Sequence, residues 1–375
     1  MKTHKPKLSP KRILIIRLSS IGDVARTLPA LTSLRREFPH AHIAWAVEDK
    51  SSGLLEGHPH LDEVITFERI KIERLLKSPL AFPRALFELG KFVSRIYNRD
   101  FDLVFDFHGI LKSGLIAACS RAPVRVGFSR SFVKEFSYLF TNRKVSPSDF
   151  FLPRVDRNLQ LIKPFINGNN PADKPLLGLT TRHCEKARAF ANEKFKNHHA
   201  LVAVHPGTSR LLKHWFPRRF AEVCDMLAES LHANVLLTWG PGERELVEEI
   251  RALTRSAPEI APQTQSLLEL AALLQMCSLM ITVDCGPMHI ASLLGVPVVA
   301  LFGPTDTRIN GPYWHPYHII TGNISCRPCD ENCESAKCME AIAPGEVFRA
   351  AVDLLAKTAD AAECPEGGKL AYPSP

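Results

Sequence analysis

Short apolar runs alternate with helical patterns through the first half of the chain. A predicted strand, "RILIIRL", is followed by a helix near residues 23–37, and further strands are predicted at "HIAWAVE", "EVITF", "DLVFDF" and "VRVGF". Continuous apolar strands separated by helices are typical of a parallel sheet covered on both faces. This half is therefore predicted to form a doubly wound α/β unit.

The same alternation restarts near residue 200. Strands are predicted at "ALVAV", "NVLLTW", "LMITVD" and "VPVVALFG". One helix opens at Pro217, a position that proline favours, and others are predicted at "GERELVEEIRALT", "SLLELAALLQMC" and "PMHIASLLG". Between the two units, residues 141–200 lose the pattern and contain "SPSD" and "NGNNPADKP", which are typical of a domain boundary.

We therefore predict an α/β protein in which two Rossmann-like, doubly wound parallel-sheet domains face a cleft. The N-terminal domain is expected over residues 1–170 and the C-terminal domain over residues 171–345. Residues 346–375 are expected to form a helix that packs back toward the N-terminal domain, followed by a frayed tail. Ligands of such sheets bind at the carboxyl ends of the strands, so the loops after each strand are the candidate sites.

The composition is that of an ordinary globular protein, with 45% hydrophobic and 23% charged residues among 375. No apolar stretch approaches the roughly 20 residues that span a bilayer. The basic start, "MKTHKPKLSPKR", leads into an apolar run too short for a signal peptide. We expect a cytoplasmic protein whose ten cysteines are free thiols rather than a disulfide framework.

The net charge of +8 is unevenly distributed. Residues 1–157 hold 27 Lys and Arg against 16 Asp and Glu, an excess of +11, so the remaining residues carry −3. A basic half indicates an anionic partner such as a phosphorylated lipid, a nucleic acid or an acidic sugar, with a solubilising surface as the alternative. We expect no nucleic-acid partner, because interleaved stacking aromatics and a helix-turn-helix are both missing.

One loop of the second unit combines features that suit a phosphate. In "HPGTSRLLKHW", a tight turn precedes Thr208 and Ser209, which offer hydroxyls and backbone N–H groups, and Lys213 adds a positive charge. A polar loop with a helix-capping hydroxyl is the alternative.

A second loop lies in "TVDCGPMHIASLLGVPVVALFGPTD". Asp284 ends a strand, Gly286 begins a helix, and His289 lies in its first turn. The amides of this turn can bind an anion, and the histidine can reach it. A structural histidine is the alternative.

Glu243 follows a third strand, in "TWGPGERE". Its carboxylate could accept hydrogen bonds from a ribose, or it could only favour the start of a helix through the macrodipole. Neither a full G-x-G-x-x-G pattern nor a P-loop pattern occurs in the chain, which argues against an NAD enzyme or a P-loop NTPase.

One carboxylate, Asp23, stands at the first strand-to-helix turn, in "RLSSIGDVARTLPAL". The segment "SIGD" fits a capping box, in which the acid only satisfies the start of the helix. The same carboxylate could instead take a proton from a substrate, because the helix dipole keeps it ionised.

Taken together, these stretches resemble glycosyltransferase family 9, the bacterial heptosyltransferases. Five motifs carry the resemblance, in order: "RLSSIGDVARTLPAL", "DFHGILKSGLIA", "HPGTSRLLKHWFPRRF", "TWGPGERE" and "VDCGPMHIASLLGVPVVALFGPT". The resemblance implies a GT-B fold and transfer of heptose from ADP-heptose to the lipopolysaccharide inner core. The middle of the chain looks most like members that act on Kdo-lipid A. Members with another core-oligosaccharide acceptor, and a non-catalytic relative, are the alternatives.

The chemistry that the resemblance implies is an inverting displacement. Asp23 would be the catalytic base, and Lys213 would stabilise the leaving diphosphate. The donor site would be formed by Thr208, Ser209, Lys213, Glu243, Asp284, Cys285, Gly286 and His289. Position 285 is Cys where many relatives have Thr or Ser, and His108 stands where an amide is common. No cofactor and no divalent metal are expected.

The acceptor is expected on the basic N-terminal domain. Candidates for contacts with Kdo carboxylates or lipid A phosphates are Lys112, Ser113, Arg130, Arg143, Arg154 and Arg157. The charge excess is expected to draw the protein to the anionic cytoplasmic face of the inner membrane, without insertion. Residues 68–99 are interpreted as a partly mobile acceptor-side segment. A membrane-surface segment and a basic helix on its own sheet are the alternatives.

Two further patterns imitate metal sites. "DFD" at residues 100–102 leads directly into a strand and is interpreted as a strand entrance. "CRPCDENCESAKC" brings together four thiols whose gaps differ from those of structural zinc sites and of ferredoxins, so we expect no metal there, and a metal site bound by the four thiolates is the alternative. These thiols are Cys326, Cys329, Cys333 and Cys338.

Overall fold

The structure is a computed structural model that describes residues 9–167, 175–197, 199–326, 328–329, 333 and 336–363. In this part of the chain, two parallel six-stranded sheets form two domains. The prediction of two doubly wound α/β units is confirmed.

The N-terminal sheet has the strand order β3-β2-β1-β4-β5-β6. Its strands are β1 Arg12–Ile16, β2 His42–Glu48, β3 Glu63–Phe67, β4 Leu103–Asp106, β5 Val124–Phe128 and β6 Arg143–Val145. The helices of this domain are α1 Ile21–Ala25, α2 Leu28–Glu37, α3 Asp49–Ser52, α4 Arg69–Leu76, α5 Phe82–Tyr97, α6 Leu111–Cys119 and α7 Arg154–Ile162.

The C-terminal sheet has the strand order β12-β11-β10-β7-β8-β9. Its strands are β7 Leu201–His205, β8 Asn234–Leu237, β9 Glu259–Ile260, β10 Leu279–Val283, β11 Val298–Phe302 and β12 Tyr317–Thr321. Its helices are α8 Thr181–Lys194, α9 Pro217–Leu231, α10 Arg244–Leu253, α11 Leu267–Gln275, α12 Gly286–Leu294, α13 Thr307–Asn310, α14 Lys337–Glu340 and α15 Pro344–Glu363.

The central strands are buried along their length, as their continuous apolar sequences predict. The apolar residues of β1 and every residue of β7, β10 and β11 are buried. The strands that the sequence pattern missed, β6 and β12, are edge strands with exposed positions, and β9 is only two residues long. The predicted helix near residues 23–37 is two helices, separated at Arg26 and Thr27.

Each sheet has one point where the chain changes the side on which it adds strands. The two points lie between β1 and β4 and between β7 and β10. Crevices at such points are where doubly wound sheets bind ligands. The loops and helix starts that follow these four strands contain Asp23, Lys112, Thr208 and Asp284.

The two domains meet where α1 packs against α12. A Cβ atom on Gly22 would clash with the ring of His289, and one on Gly286 would lie 2.9 Å from the Cβ of Ile21. Both glycines are therefore needed for the close approach. Buried apolar residues from the two domains form one continuous cluster, which includes Trp45 and Met288.

Polar contacts also join the domains. Arg26 donates through Nη1 to the carbonyl oxygen of Ile309, at 3.3 Å, and to Oδ1 of Asn310, at 3.4 Å. The hydroxyl of Tyr313 donates to Oδ1 of Asp156 at 2.7 Å. These bonds connect α1 and α7 of the N-terminal domain with the segment after β11.

Helix α15 does not pack back toward the N-terminal domain, so that expectation for residues 346–375 is wrong over its described part. Its principal contacts are with α9, β10, β11 and β12 of the C-terminal sheet. Val347, Ala350, Ala351 and Leu354 are buried in the core of that domain. Their spacing places them on one helical face, which explains why the helix covers the nearest open face of the sheet.

The expected boundary between residues 170 and 171 lies outside the described residues. Helix α8, which follows it, packs against α11 and so belongs to the C-terminal domain. No helix in the described part of the chain is long and apolar enough to cross a membrane. The tail beyond residue 363 also lies outside the described residues.

The α1–α12 contact yields a stability prediction. Gly22→Ala should lower the free energy of unfolding by about 1–3 kcal/mol, because the buried ring of His289 has no room to move. Gly90→Ala is the matched control, since a Cβ there meets nothing within 4 Å and the residue lies inside α5. The control should raise stability by about 0.5–1 kcal/mol. Urea denaturation of both variants measures the difference. Equal stability of Gly22→Ala and the wild type would contradict the close contact between Gly22 and His289.

Candidate active site

Asp23 lies in the first turn of α1, directly after the loop that follows β1. Its carboxylate forms an ion pair with Arg17 and a second with Nη2 of Arg26, at 2.7 Å. Capping contacts are also present but longer, since Ser20 donates to Asp23 from its backbone nitrogen at 3.4 Å and its hydroxyl at 3.3 Å. The carboxylate therefore has both a capping geometry and a stronger tie to two guanidinium groups.

These charges decide the ionisation of Asp23. Burial alone would raise the pKa of its carboxyl group, but the positive charges of Arg17, Arg26 and Arg154 outweigh it. The pKa is held well below the usual carboxyl range, so Asp23 is ionised at neutral pH.

The two arginines are themselves fixed in place. Arg17 donates through Nη1 to the carbonyl oxygen of Phe107, at 2.7 Å, after β4. Arg26 donates through Nε to the carbonyl oxygen of Gly22, at 3.2 Å, and through Nη1 to the C-terminal domain. The orientation of the Asp23 carboxylate therefore depends on both domains.

Across the domain contact, Lys213 and Asp284 form a partly buried ion pair. Nζ of Lys213 lies 2.7 Å from Oδ2 of Asp284, and the hydroxyl of Thr305 donates to the same oxygen at 2.7 Å. The hydroxyl of Thr208 donates to the backbone carbonyl of Asp284 at 3.3 Å. The loops after β7, β10 and β11 thus meet at one carboxylate.

The first turn of α12 begins at Gly286 beside that pair. Cys285 precedes it as the N-cap residue, with Sγ 3.2 Å from the hydroxyl of Thr282. Burial raises the pKa of the Cys285 thiol to about 12, so it stays protonated. Burial, assisted by the charge of Arg26, holds the pKa of His289 well below its usual value, so this histidine is neutral.

Glu243 lies over the turn of the Lys213 loop. Its Oε2 accepts a hydrogen bond from the backbone nitrogen of Gly240 at 2.7 Å, and a Cβ on Gly207 would collide with its carboxylate. The glycine therefore makes room for the acid beside Thr208. Ser209, the next residue, is exposed. All the predicted donor-site residues lie on the loops and the helix start at this edge of the C-terminal sheet.

The acceptor candidates are more dispersed. Nζ of Lys112 pairs with Oε1 of Glu48 at 2.9 Å, and Nη1 of Arg69 pairs with Oε2 of Glu48 at 3.2 Å. The nearly buried Glu48 ends β2 at the same sheet edge as Asp23. Arg154 lies close enough to Asp23 to lower its pKa. These charged side chains all lie at the carboxyl edge of the N-terminal sheet.

Two acceptor candidates have structural roles instead. Ser113 is fully buried, and its hydroxyl donates to Oδ2 of Asp106 at 3.0 Å. Arg157 is buried, donates to the carbonyl oxygen of Phe150 at 2.7 Å, and lies over the ring of Phe132. Neither side chain is available to an incoming acceptor, so these two assignments are corrected.

Arg130 and Arg143 are exposed. Arg130 lies over the ring of Tyr138, and Arg143 begins β6, the edge strand that lies three strands from β1. Nδ1 of His108 accepts a hydrogen bond from the backbone nitrogen of Leu18 at 3.3 Å. Burial lowers the pKa of His108 to about 3, so it is neutral.

The patterns that imitate metal sites have other surroundings. Oδ2 of Asp102 accepts hydrogen bonds from the backbone nitrogens of Lys11 and Arg12, each at 2.8 Å, at the amino end of β1. The interpretation of "DFD" as a strand entrance is thereby confirmed. Among the described residues, no group of three His, Cys, Asp or Glu could hold a metal ion.

The four clustered cysteines line one small cavity of about 50 Å³. These are Cys326, Cys329, Cys333 and Cys338. Several of the residues between them lie outside the described part of the chain. Their expected lack of metal stays a prediction.

Sequence reasoning missed Arg17, Arg26 and Glu48 as site residues. The signal was available for the arginines, because "RLSSIGDVAR" places a basic residue on each side of the single acid. Glu48 had a weaker signal, an acid that ends a strand at the carboxyl edge of the sheet.

The ion pair at Asp23 yields a second prediction. A double-mutant cycle of Arg26→Gln and Asp23→Asn should give a coupling energy of about 1–3 kcal/mol in urea denaturation. The exposed pair of Arg218 and Glu222, 3.9 Å apart, is the control and should give about 0.5 kcal/mol or less.

The pH dependence follows from the lowered pKa of Asp23. The coupling should be constant between about pH 5 and 9, where the carboxyl is ionised in the folded and unfolded chains, and should decline only below about pH 4. A coupling that falls between pH 7 and 5 would show that Asp23 titrates there and that the assignment of its charge is wrong.

Comparison with known proteins agrees with this arrangement. The model of "Glycosyltransferase family 9 (heptosyltransferase)" matches residues 89–340. The lipopolysaccharide heptosyltransferase 1 of Pseudomonas aeruginosa is 30% identical over 320 residues, 85% of this chain and 86% of that protein. The lipopolysaccharide core heptosyltransferase OpsX of Haemophilus influenzae is 26% identical over 81% of this chain and 82% of that protein.

A solved structure, the E. coli heptosyltransferase WaaC with ADP, has a similar fold. The TM-score is 0.72 at 23% identity, and the match covers 92% of this chain and 99% of that chain. The chain therefore belongs to glycosyltransferase family 9, the heptosyltransferases, and is a glycosyltransferase with two Rossmann-like domains in the GT-B arrangement.

Proposed function

We propose that the protein is a heptosyltransferase I, which transfers heptose from ADP-heptose to Kdo-lipid A of the lipopolysaccharide inner core. One observation carries the proposal: the carboxylate of Asp23 and the partly buried pair of Lys213 and Asp284 lie on either side of the α1–α12 contact. A base on one domain and a phosphate-binding group on the other suit transfer between two bound substrates. The 30% identity to a lipopolysaccharide heptosyltransferase 1 supports the choice of acceptor.

The mechanism is an inverting displacement. The acceptor hydroxyl attacks the anomeric carbon from the face opposite ADP, and Asp23 takes its proton. The low pKa makes Asp23 a weak base toward a free hydroxyl. The proton therefore moves to Asp23 while the new C–O bond forms, because bond formation makes the hydroxyl acidic. Arg17 and Arg26 then act as positioning residues that hold the carboxylate in one orientation.

The departing diphosphate gains charge as the sugar leaves. Lys213 and the backbone amides at the start of α12 supply positive potential there, and no divalent metal or other cofactor is needed. Thr208 and Ser209 contribute hydroxyls and amides, and Glu243 accepts hydrogen bonds from the ribose. Asp284 holds Lys213 in place, and the neutral His289 packs against Gly22 beside the start of α12.

The acceptor binds the N-terminal domain, with Arg154, whose charge acts on Asp23, and Lys112 as anion-binding groups. Arg130 and Arg143 serve more distant phosphates of lipid A. The protein works at the cytoplasmic face of the inner membrane, attracted by the basic N-terminal domain. A heptosyltransferase II, or another family member with a different core acceptor, is the second candidate.

The role of Asp23 is tested by Asp23→Asn. The change keeps the shape of the side chain but removes the proton acceptor, so heptose transfer should fall at least about 1,000-fold while ADP affinity stays within about three-fold. Asp353→Asn, an exposed position on α15, is the control and should leave both unchanged. Radiolabelled heptose transfer and calorimetric ADP titration give the two readouts. Near-normal heptose transfer by Asp23→Asn would show that Asp23 is not the base and only caps α1.

Lys213→Ala should weaken ADP binding and slow transfer together. Removal of the ammonium also leaves the buried Asp284 unpaired beside the diphosphate, so both effects act in one direction. The expected loss of ADP affinity is about 10- to 100-fold, from about 1.5–3 kcal/mol for a charge-assisted bond. Lys186→Ala breaks an exposed pair of the same 2.7 Å length, with Glu269, and should leave ADP affinity unchanged. Unchanged affinity in Lys213→Ala would place the diphosphate elsewhere.

A further inference from the structure

The segment that connects β3 with β4 exposes an unusual amount of apolar surface. Helices α4 and α5 and the short turn between them, residues 69–97, form a helical hairpin. Leu80 is 95% exposed and Phe87 is 70% exposed. The other large apolar side chains of the hairpin that are exposed are Ile70, Leu76, Phe82, Leu86, Leu89 and Tyr97.

The exposed side chains belong mostly to the end of the hairpin that projects from the domain. Phe92 of α5 packs edge-on against Phe67, the last residue of β3, with ring centroids 5.0 Å apart. Phe92 thus marks the carboxyl edge of the sheet. The ten residues of α5 that precede Phe92 extend about 15 Å beyond this edge of the sheet, at 1.5 Å per residue. We call residues 74–87, which include Leu76, Leu80 and Phe87, the hairpin tip.

The base of the hairpin is fixed, whereas the tip carries unpaired positive charge. At the base, Arg69 pairs with Glu73 and with Glu48, and Lys71 pairs with Glu88. In the tip, Arg74, Lys77 and Arg84 are exposed and form no ion pair with any described residue. Exposed apolar side chains are therefore interleaved with three free cations.

This combination decides which partner fits. A second copy of the chain would bring the same cations together, which disfavours pairing through the tip. An anionic bilayer offers complementary charge to the cations and an apolar layer to the leucines and phenylalanines. Pro79 and Pro83 do not prevent this, because Pro79 lies in the turn and Pro83 lies in the first turn of α5, where proline is tolerated.

We propose that the hairpin tip inserts its apolar side chains into the interfacial layer of an anionic membrane, with Arg74, Lys77 and Arg84 among the lipid phosphates. The proposal rests on the proposed function only in that a lipid-borne acceptor requires the enzyme at a membrane. It replaces the expectation of purely electrostatic attachment without insertion. Since the tip rises from the carboxyl edge of the sheet, insertion turns the edge that bears Asp23 toward the lipid surface.

The test uses the full chain and vesicles of phosphatidylethanolamine and phosphatidylglycerol at physiological salt. Leu80→Ser/Leu86→Ser/Phe87→Ser should reduce the vesicle partition coefficient at least about 10-fold in co-sedimentation. Leu253→Ser/Met276→Ser removes exposed apolar side chains from the other domain and should leave partition unchanged. Equal binding by the triple variant and the wild type overturns the proposal. The proposal is also overturned if Arg74→Gln/Lys77→Gln/Arg84→Gln loses binding while the triple serine variant keeps it, because attachment would then be only electrostatic.

A second readout reports depth directly. Tryptophan in Leu80→Trp should be quenched by lipids brominated on the acyl chain more strongly than the wild-type tryptophans, and an absence of added quenching in vesicle-bound protein overturns insertion. Transfer to a delipidated Kdo acceptor separates this proposal from the proposed function. The triple serine variant should retain wild-type kcat on that soluble acceptor and lose activity only on acceptor in vesicles. A wild-type protein with no transfer to either acceptor contradicts the proposed function, whereas vesicle binding still tests the hairpin.

Discussion

The close approach of α1 to α12 is the constraint on which the site depends. It needs glycine at positions 22 and 286, because side chains there would push the helices apart. It brings Asp23 of one domain and the loops that carry Lys213 and Asp284 of the other to a single crevice. The orientation of Asp23 also depends on this contact, since the guanidinium of Arg26 binds both Asp23 and the backbone of the C-terminal domain. Any opening of the crevice at this point would break the bond to Ile309 and release one of the two groups that orient the carboxylate.

Much of this arrangement follows from patterns that are local in the sequence. Strands such as β1 and β10 are buried on both faces, so their apolar runs predict them, and Pro217 and Gly295 mark the ends of α9 and α12. Edge strands such as β6 escape prediction, because they are short and partly exposed. The sequence also does not predict which domain α15 packs against. An amphipathic face predicts burial but does not say which of two sheets will cover it.

The site shows the same limit at the level of single residues. Thr208, Lys213 and Asp284 could be predicted to lie together, because each follows a strand at the same edge of the sheet, and the proposed phosphate contact rests on a local loop pattern. No local pattern in the sequence tells Arg154 from Arg157, since both lie on α7. One faces Asp23, and the other is buried against Phe132. Ser113 likewise stands in a motif beside Lys112, yet helical geometry turns its hydroxyl inward to Asp106. Which side of a helix meets solvent is set by tertiary packing, and motif matching does not contain that information.

The pairing of Lys213 with Asp284 bears on which anions the crevice retains. A lysine whose charge is already balanced by a carboxylate, itself held by Thr305, attracts a lone small anion only weakly. Free inorganic phosphate would meet a nearly neutral pair. A larger ligand that also reaches the amides of α12 and the carboxylate of Glu243 gathers enough contacts to be held. If the proposed function holds, the ion pair therefore favours a ligand with several contacts in the crevice over a simple anion.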